Sequence, residues 1–316
     1  MGSDRDYRVI LAAVADTGGK GQVAARKAVE LAHLMGADVV LYHACYEPSL
    51  DGSRFFDTAG LTRARRQHTA QSSRSLDKLA ARLTTPVVAV RACVEWKKSV
   101  PEAIVRAAMR ERAELVVAEP RYRNTRRRPG LSHTDWDLIR ICPMPILFCK
   151  TIAPYESTRI IAAVDPGAHH ERESALDVNI VGVAARLADL TSGHVQVVHA
   201  LHLPPGVLGI EPRTVRRERS RIEALLKNLS RGAGLKPAAA KVVTGEPVDA
   251  LLDLVTSESI DVIVMGTFVR GPMKRMLFGS TAERILNVAP CDVMVLKAEG
   301  FRSPVPPPTG QARRAR

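Results

Sequence analysis

The chain has 316 residues, of which 46% are hydrophobic and 25% are charged, and its formal net charge at pH 7 is +13. This length predicts two domains, and no apolar run approaches the roughly 18 residues of a membrane span, so a membrane partner is not expected. The basic balance suits anionic partners, but with 4% aromatic residues a base-stacking nucleic-acid surface is not expected.

Two consecutive copies of one pattern fill the chain. Each copy opens with an apolar run that ends in an acid, continues with a helix-period segment, and reaches a second apolar run that ends in His-Ala. These landmarks are Asp16, 22–35 and His43–Ala44 in the first copy, and Asp165, 175–190 and His199–Ala200 in the second. The repeat therefore predicts two domains of one architecture.

The remainder of each copy continues the alternation of helices and strands. A long Arg-rich helical segment comes first, then a valine-rich strand, a third helix, a fourth strand, and a last helix and strand entered through proline. The Arg-rich segments are 61–83 and 212–231, and the valine-rich runs are 87–94 and 238–243. Short apolar strands between helices predict an α/β fold of two tandem doubly wound parallel sheets.

Domain boundaries follow from composition. We place the first domain at 1–151 and the second at 152–300, with the joint in the segment IAPYES. The tail 301–316 is rich in proline and arginine and is expected to be disordered.

The five cysteines indicate a reducing compartment. No two are spaced as C-x-x-C, and most lie in or beside apolar runs: Cys45, Cys93, Cys142, Cys149 and Cys291. Reduced and mostly buried thiols are therefore expected. Because residues 1–8 are polar and charged, no secretory signal is expected, and the predicted location is the cytoplasm.

A candidate ligand site lies in the second copy. Ligands of doubly wound sheets bind beyond the carboxyl ends of the strands where the strand order reverses, which is where Asp165 and the segment 266–286 would meet. Gly279, Ser280 and Thr281 open a helix whose N-terminus favours anions. A tight strand-to-helix turn whose glycines serve only the backbone conformation would have the same sequence pattern. The motif alone therefore leaves both a ligand site and a structural turn open.

The segment GTFVRGPMKRMLFGSTAE, residues 266–283, resembles the C-terminal signature of universal stress proteins. Nucleotide-binding members of that family carry G-x-x-G, a nine-residue spacer and G-S/T. The runs IIAAVD, VVHA, TGEP and PCDVMVLK agree with the family, and the resemblance covers residues 7–300. Thr134-Asp135-Trp136 before RICPMPI, with FRSPV at Phe301–Val305, resembles the E-type tandem form.

The resemblance implies ATP, with its accompanying Mg²⁺, as the ligand of the second domain. Asp165 would meet the ribose or adenine, and Ala200 would flank the base. The nucleotide would further contact Met265, Gly266, Thr267, Gly271, Gly279, Ser280 and Thr281. Val269 stands where the family pattern has glycine, and a β-branched residue disfavours positive φ, so the sequence leaves ATP binding open.

The first copy departs from the family pattern. Glu119 falls opposite Gly266, and Ser132-His133 fall opposite Gly279-Ser280. A carboxylate repels phosphate and Pro120 removes an amide donor, so no ATP site is predicted there. Arginines crowd the same loop, which suits a solvated surface, an anionic ligand other than ATP, or nucleic acid: Arg121, Arg123, Arg126, Arg127 and Arg128.

Three functions fit these observations: a stress protein that binds a nucleotide or related anionic ligand and supports resistance to growth arrest, oxidation or DNA damage; a ligand-free scaffold; and a basic stress protein associated with nucleic acid. No nucleophile motif, catalytic triad or metal-ligand spacing is present, so at most slow ATP hydrolysis is expected. His169-His170, with Glu171 and Glu173, are expected to be exposed rather than to bind zinc.

The last strand of each copy predicts pairing of the two domains within the chain. Ile146–Phe148 and Val293–Leu296 would otherwise be exposed apolar edges. The resemblance points the same way, since the last strand pairs across the dimer in single-domain members of the family. The sequence leaves a homodimer of the whole chain open.

Overall fold

The computed structural model describes residues 8–18, 22–51, 58–120, 131–166, 171–202, 211–267 and 280–308, and for 171–174 and 280 only the backbone. The chain divides into two units: described residues up to Ile152 and from Arg302 onward belong to the first, and Ala153–Phe301 to the second. Within these ranges no helix is both long enough and apolar enough to cross a membrane.

The first unit follows the predicted alternation. Its elements are β1 (Val9–Ala13), α1 (Val23–Met35), β2 (Asp38–Cys45), α2 (Thr58–Leu83), β3 (Val90–Trp96), α3 (Val100–Arg110), β4 (Leu115–Ala118), α4 (His133–Ile141) and β5 (Ile146–Phe148). The strands are parallel and stand in the order β3-β2-β1-β4-β5. The order reverses between β1 and β4, so the carboxyl ends of these strands form the expected crevice.

The second unit repeats this arrangement. Its elements are β6 (Arg159–Ala163), α5 (Glu171–Thr191), β7 (His194–Leu201), α6 (Pro212–Gly232), β8 (Ala240–Thr244), α7 (Pro247–Ser257), β9 (Val262–Thr267), α8 (Ser280–Val288) and β10 (Asp292–Lys297). Its parallel strands stand in the order β8-β7-β6-β9-β10, with the reversal between β6 and β9. The predicted fold class is confirmed in both units.

The central strands form the core of each sheet. Ile10, Leu11 and Ala12 of β1 and Val262–Val264 of β9 are fully buried. Helices cover both faces of such a strand, which is why it appears in the sequence as a continuous apolar run rather than as an alternation.

Two segments differ from expectation. The strand β3 begins at Val90, because Pro86 cannot donate to a ladder and the Val88 N–H donates to Thr85 Oγ1 at 3.1 Å in a turn that leaves Val87 exposed. Residues 301–308 are not disordered: Val305 is buried and Ser303 Oγ donates to the Ile141 carbonyl at 2.6 Å. Burial of the Val305 side chain gives this proline-rich segment an apolar anchor, and 309–316 lie outside the described residues.

Candidate functional site

The carboxyl edge of β6 presents Asp165 to solvent. Its side chain is 70% exposed, while its backbone N–H donates to Asp177 Oδ1 at 3.2 Å. Asp177 is buried and lies on helix α5, so the helix fixes the backbone at which Asp165 leaves the strand. The carboxylate of Asp165 therefore sits on an anchored backbone just beyond the carboxyl end of β6.

His199 of β7 stands beside this carboxylate. Its Nδ1 lies 3.0 Å from the Val164 carbonyl oxygen and 3.6 Å from Asp165 Oδ1. Because a carbonyl oxygen only accepts, Nδ1 carries a proton in this arrangement and Nε2 of the neutral ring is an acceptor. Ala200 follows on the same strand, so the edge brings together Asp165, His199 and Ala200.

The end of β9 offers backbone rather than side chains. Met265 is buried, and so is Thr267, whose Oγ1 accepts a hydrogen bond from Lys297 Nζ at 3.0 Å. The Lys297 ammonium also lies 5.1 Å from the centre of the Phe301 ring. A ligand at this edge would therefore meet only main-chain atoms of Met265 and Thr267. Lys297 could not be recognised from the sequence, because a lysine that ends a strand is ordinarily exposed.

Gly266 has a packing requirement of its own. A Cβ built on this residue would lie 2.4 Å from Leu176 Cδ2 and 3.1 Å from Ile180 Cδ1, both on helix α5. Real Cβ atoms do not approach carbon so closely, so a larger residue at 266 would require the Leu176 side chain to shift. The first glycine of the family signature thus has a packing role that is separate from any bound phosphate.

Helix α8 begins at Ser280 and continues with Thr281 and Ala282. Arg284 bonds Glu246 Oε1 at 2.8 Å and lies 3.5 Å from Asp249 Oδ1, which joins this first turn to the start of α7. The third residue of the helix is Ala282, which has no group to bond the N-terminal amides. Gly271, Gly279 and Val269 lie outside the described residues.

The N-terminus of the equivalent helix of the first unit, α4, is capped by side chains of its own segment. Ser132 precedes α4, its Oγ accepts from the Asp135 N–H at 3.3 Å, and Asp135 Oδ2 accepts from both the Ser132 N–H and Oγ at 2.8 Å. This capping box places a carboxylate where a bound phosphate would stand. It is a second feature of this copy, besides Glu119, that disfavours a bound phosphate.

Strand register supports the alignment of the two copies. Ala118 pairs with Ala13 in the last pair between β4 and β1, and Met265 pairs with Ala163 in the last pair between β9 and β6. The next residues, Glu119 and Gly266, are therefore equivalent. Arg121–Arg128 and His169-His170 lie outside the described residues, and no side chain is described for Glu171 or Glu173.

The first unit nevertheless holds a cleft of about 530 Å³ at the carboxyl ends of β1 and β2. Polar side chains line it: Asp16, His43, Tyr46, His68, Gln71 and Ser72. His43 makes the same contact as His199 in the second unit: its Nδ1 lies 2.8 Å from a backbone carbonyl oxygen, that of Val14. The sequence-based prediction did not include the side of the cleft that α2 forms, although His68, Gln71 and Ser72 have the i, i+3, i+4 spacing of one helix face.

An ion cluster fixes the mouth of this cleft. Asp51 accepts from Tyr46 OH at 2.8 Å, from Lys98 Nζ at 3.0 Å and from Arg65 Nη2 at 3.1 Å. The hydrogen bond from Lys98, followed by that from Tyr46, holds the pKa of Asp51 below its ordinary value. The Arg65 guanidinium also lies 5.5 Å from the centre of the Trp96 ring, which ties α2 to the end of β3.

Comparison with known proteins identifies the architecture. The family model described as the universal stress protein family matches residues 6–150 and 156–297. The chain belongs to the universal stress protein family. Its two matched regions make it a tandem universal stress protein, as the E-type resemblance predicted.

Relatives of similar length agree. Universal stress protein E of Escherichia coli is 24% identical over 299 residues, covering 92% of this chain and 95% of that protein. The homologous protein of Haemophilus influenzae is 24% identical over 229 residues, covering 70% and 73%. Among solved structures, a functionally unknown protein of Pseudomonas aeruginosa PAO1 superposes with a TM-score of 0.68 at 21% identity, covering 93% of each chain. A universal stress protein of Archaeoglobus fulgidus gives 0.64 at 13% identity, covering 92% and 98%.

Proposed function

We propose that the second universal stress protein domain binds an adenine nucleotide, with ATP as the expected ligand, and that this binding serves the stress-response role of the family. The phosphates would approach the start of α8, and the nucleoside would lie against the edge formed by Asp165, His199 and Ala200. The chain would act through binding and the conformational response to it. Mg²⁺ would enter with the phosphates of the nucleotide.

The observation that carries this proposal is the contrast between the two equivalent helices. In α4 the Asp135 carboxylate occupies the N-terminus, whereas α8 has Ala282 at the same position. The N-terminal amides of a helix favour an anion, and those of α8 meet no carboxylate from the helix's third residue. The second domain therefore lacks, at this position, the carboxylate with which the first domain caps its helix, and the acid in the first turn of α8 is Glu283 instead.

The nucleoside edge supplies complementary groups. The exposed Asp165 carboxylate accepts hydrogen bonds, as a ribose diol requires, and His199 Nε2 adds an acceptor beside it. The main chain at Ala200 can approach a flat base because the residue has only a methyl side chain. These groups suit recognition of a nucleoside and provide no nucleophile.

Calorimetry with MgATP tests the proposal with a substitution that gives α8 of the second domain the acidic residue that α4 has in the first domain. Ala282→Asp places a capping carboxylate at the start of α8, and ATP affinity should fall at least about tenfold because like charges repel. Asp165→Ala should weaken binding by about 1–3 kcal/mol through lost hydrogen bonds. Gly279→Val should also weaken it, and Val269→Gly should strengthen it by restoring backbone freedom.

Matched changes in the first domain provide the controls. Glu119→Ala and Ser132→Ala should leave ATP affinity unchanged, since no nucleotide site is proposed there. If neither the natural protein nor Val269→Gly binds ATP, the proposal fails.

A ligand-free scaffold is the second candidate, and Gly266 favours it. Because Leu176 packs closely against this position, glycine would be favoured there without any nucleotide. We further propose domain boundaries at 1–151 and 152–300 and a cytoplasmic location, in keeping with five free cysteines. Pairing of the two domains within one chain stays a prediction from the sequence, and so does association with nucleic acid through the Arg121–Arg128 loop.

A further inference from the structure

Helix α2 carries a row of cations on its solvent side. Its buried side consists of Ser72, Leu76, Leu79 and Ala80. Five cations are exposed on the opposite side: Arg63, Arg66, Arg74, Lys78 and Arg82. Among the residues that the structure describes, no ion pair is formed by any of the five. Asp77 is the one acid within the helix, and it accepts from Ser73 Oγ at 3.2 Å.

The row is long. From Arg63 to Arg82 an α-helix rises about 29 Å. Arg65 is not part of the row, because it turns to the buried side and bonds Asp51 and the Leu50 carbonyl. The five charges are thus presented by a rigid element whose other face is held by the sheet.

The equivalent helix of the second unit, α6, is also basic, but it differs from α2 in carrying ion pairs between its own residues. In α6, Arg221 bonds Glu218 at 2.9 Å and Lys227 bonds Glu223 at 2.8 Å. Acids within that helix therefore neutralise part of its positive charge. In α2 the positive charge along the solvent face remains largely uncompensated, which favours an external polyanion.

The chemistry of the row distinguishes between polyanions. A helix that docks on a lipid surface inserts an apolar face, but the apolar residues of α2 are already buried against the sheet. Four of the five cations are arginines, whose planar guanidinium matches phosphate oxygens in bidentate fashion. Exposed Gln67 and Gln71 lie beside them and add neutral donors of the kind that bond phosphates.

We propose that the solvent face of α2 binds the phosphate backbone of double-stranded nucleic acid without reading its sequence. The inference is independent of nucleotide binding in the second domain. Because the contacts are ionic, each engaged phosphate releases counterions, and the affinity depends steeply on salt.

Fluorescence anisotropy of the full chain with a random-sequence DNA duplex of about 20 base pairs measures this dependence, with KCl from about 50 to 200 mM. If all five cations engage phosphates, the slope of log K against log salt should be about −4.5. The triple variant Arg66→Gln, Arg74→Gln, Lys78→Gln should reduce the slope to about −2 and weaken binding roughly tenfold or more near 100 mM salt. Glutamine is a strong helix former, and circular dichroism verifies that the variant keeps its fold.

The control removes the same formal charge from α6, with Arg213→Gln, Arg216→Gln and Arg217→Gln, which are also exposed. It should change affinity by less than about threefold. A second control, Arg66→Lys with Arg74→Lys, keeps the charge and should keep the slope. Equal losses from the two triple variants would overturn the proposal, as would the absence of duplex binding. Binding only to phosphatidylserine vesicles would also overturn it and assign the row to lipid.

Discussion

Leu176 fills the space that a side chain on Gly266 would need. The Leu176 Cδ2 atom lies 2.4 Å and Cγ 2.9 Å from the position of a Cβ on residue 266. Leu176 is itself buried, so it cannot turn toward solvent to make room. Helix α5 therefore packs closely against strand β9 at Gly266.

Gly266→Ala should destabilise the protein by about 1–3 kcal/mol, because overpacking forces a buried side chain or the backbone to shift. Urea unfolding measures the change. Adding Leu176→Ala should recover part of the loss from Gly266→Ala, giving a coupling energy of about 0.5 kcal/mol or more in a double-mutant cycle.

Gly182→Ala in the same helix is the matched control. A Cβ there meets no atom within 4 Å, and alanine in place of a helical glycine should stabilise by about 0.5–1 kcal/mol. If both glycine substitutions change stability in the same direction, the contact with Leu176 does not determine the effect of Gly266→Ala.

Tyr155→Phe should also destabilise the second unit. The Tyr155 hydroxyl donates to Asp292 Oδ2 at 2.6 Å, and both residues are buried. Removing the donor takes one hydrogen bond from a buried carboxylate, so the expected loss is about 1–3 kcal/mol. Tyr46→Phe, which removes a hydroxyl that donates to Asp51 near the surface, should change stability by less than about 0.5 kcal/mol. If the two variants lose similar stability in thermal unfolding, burial does not explain the contribution of the Tyr155 hydroxyl.

The thiols should react slowly in the native protein. Cys45, Cys142, Cys149 and Cys291 are buried, while Cys93 is partly exposed. Burial raises the pKa of Cys93, Arg110 opposes the shift and Glu95 adds to it, so little thiolate is present near pH 7. A thiol reagent should modify at most Cys93 before unfolding and all five thiols in denaturant, and Cys93→Ser should abolish the native reaction. A disulfide found by mass analysis without reductant would contradict this expectation.

Stability in acid should depend on Glu258. Its carboxylate bonds Lys241 and Gln196, and the hydrogen bond from Lys241, followed by that from Gln196, holds its pKa below the ordinary value of 4.5. A carboxyl whose pKa is lower in the folded state stabilises the protein above the ordinary value. This contribution is lost as pH falls through 4.5 and then through the folded pKa. Urea unfolding from neutral to acidic pH should therefore show Glu258→Gln losing less stability than the natural protein. Parallel profiles would exclude Glu258 as the cause.

The sequence by itself determined the repeat, the order of helices and strands, the acids Asp16 and Asp165 that follow the first strand of each unit, and the family. Each of these follows from residues that are neighbours along the chain: an apolar run forms a buried strand, and a periodic segment forms a helix. The capping box of Ser132 and Asp135 is local in the same sense, because its two residues are three positions apart along the chain.

Only the tertiary structure decided what these elements do to one another. Gly266 looked like part of a phosphate loop, but a leucine from an earlier helix explains it, and that contact depends on how α5 lies on β9. The cleft of the first unit required α2 to bring His68 and Ser72 to the end of β2, and Val305 was ordered by burial. Contacts between residues distant in sequence depend on shape and burial in three dimensions, and they cannot be predicted from local periodicity.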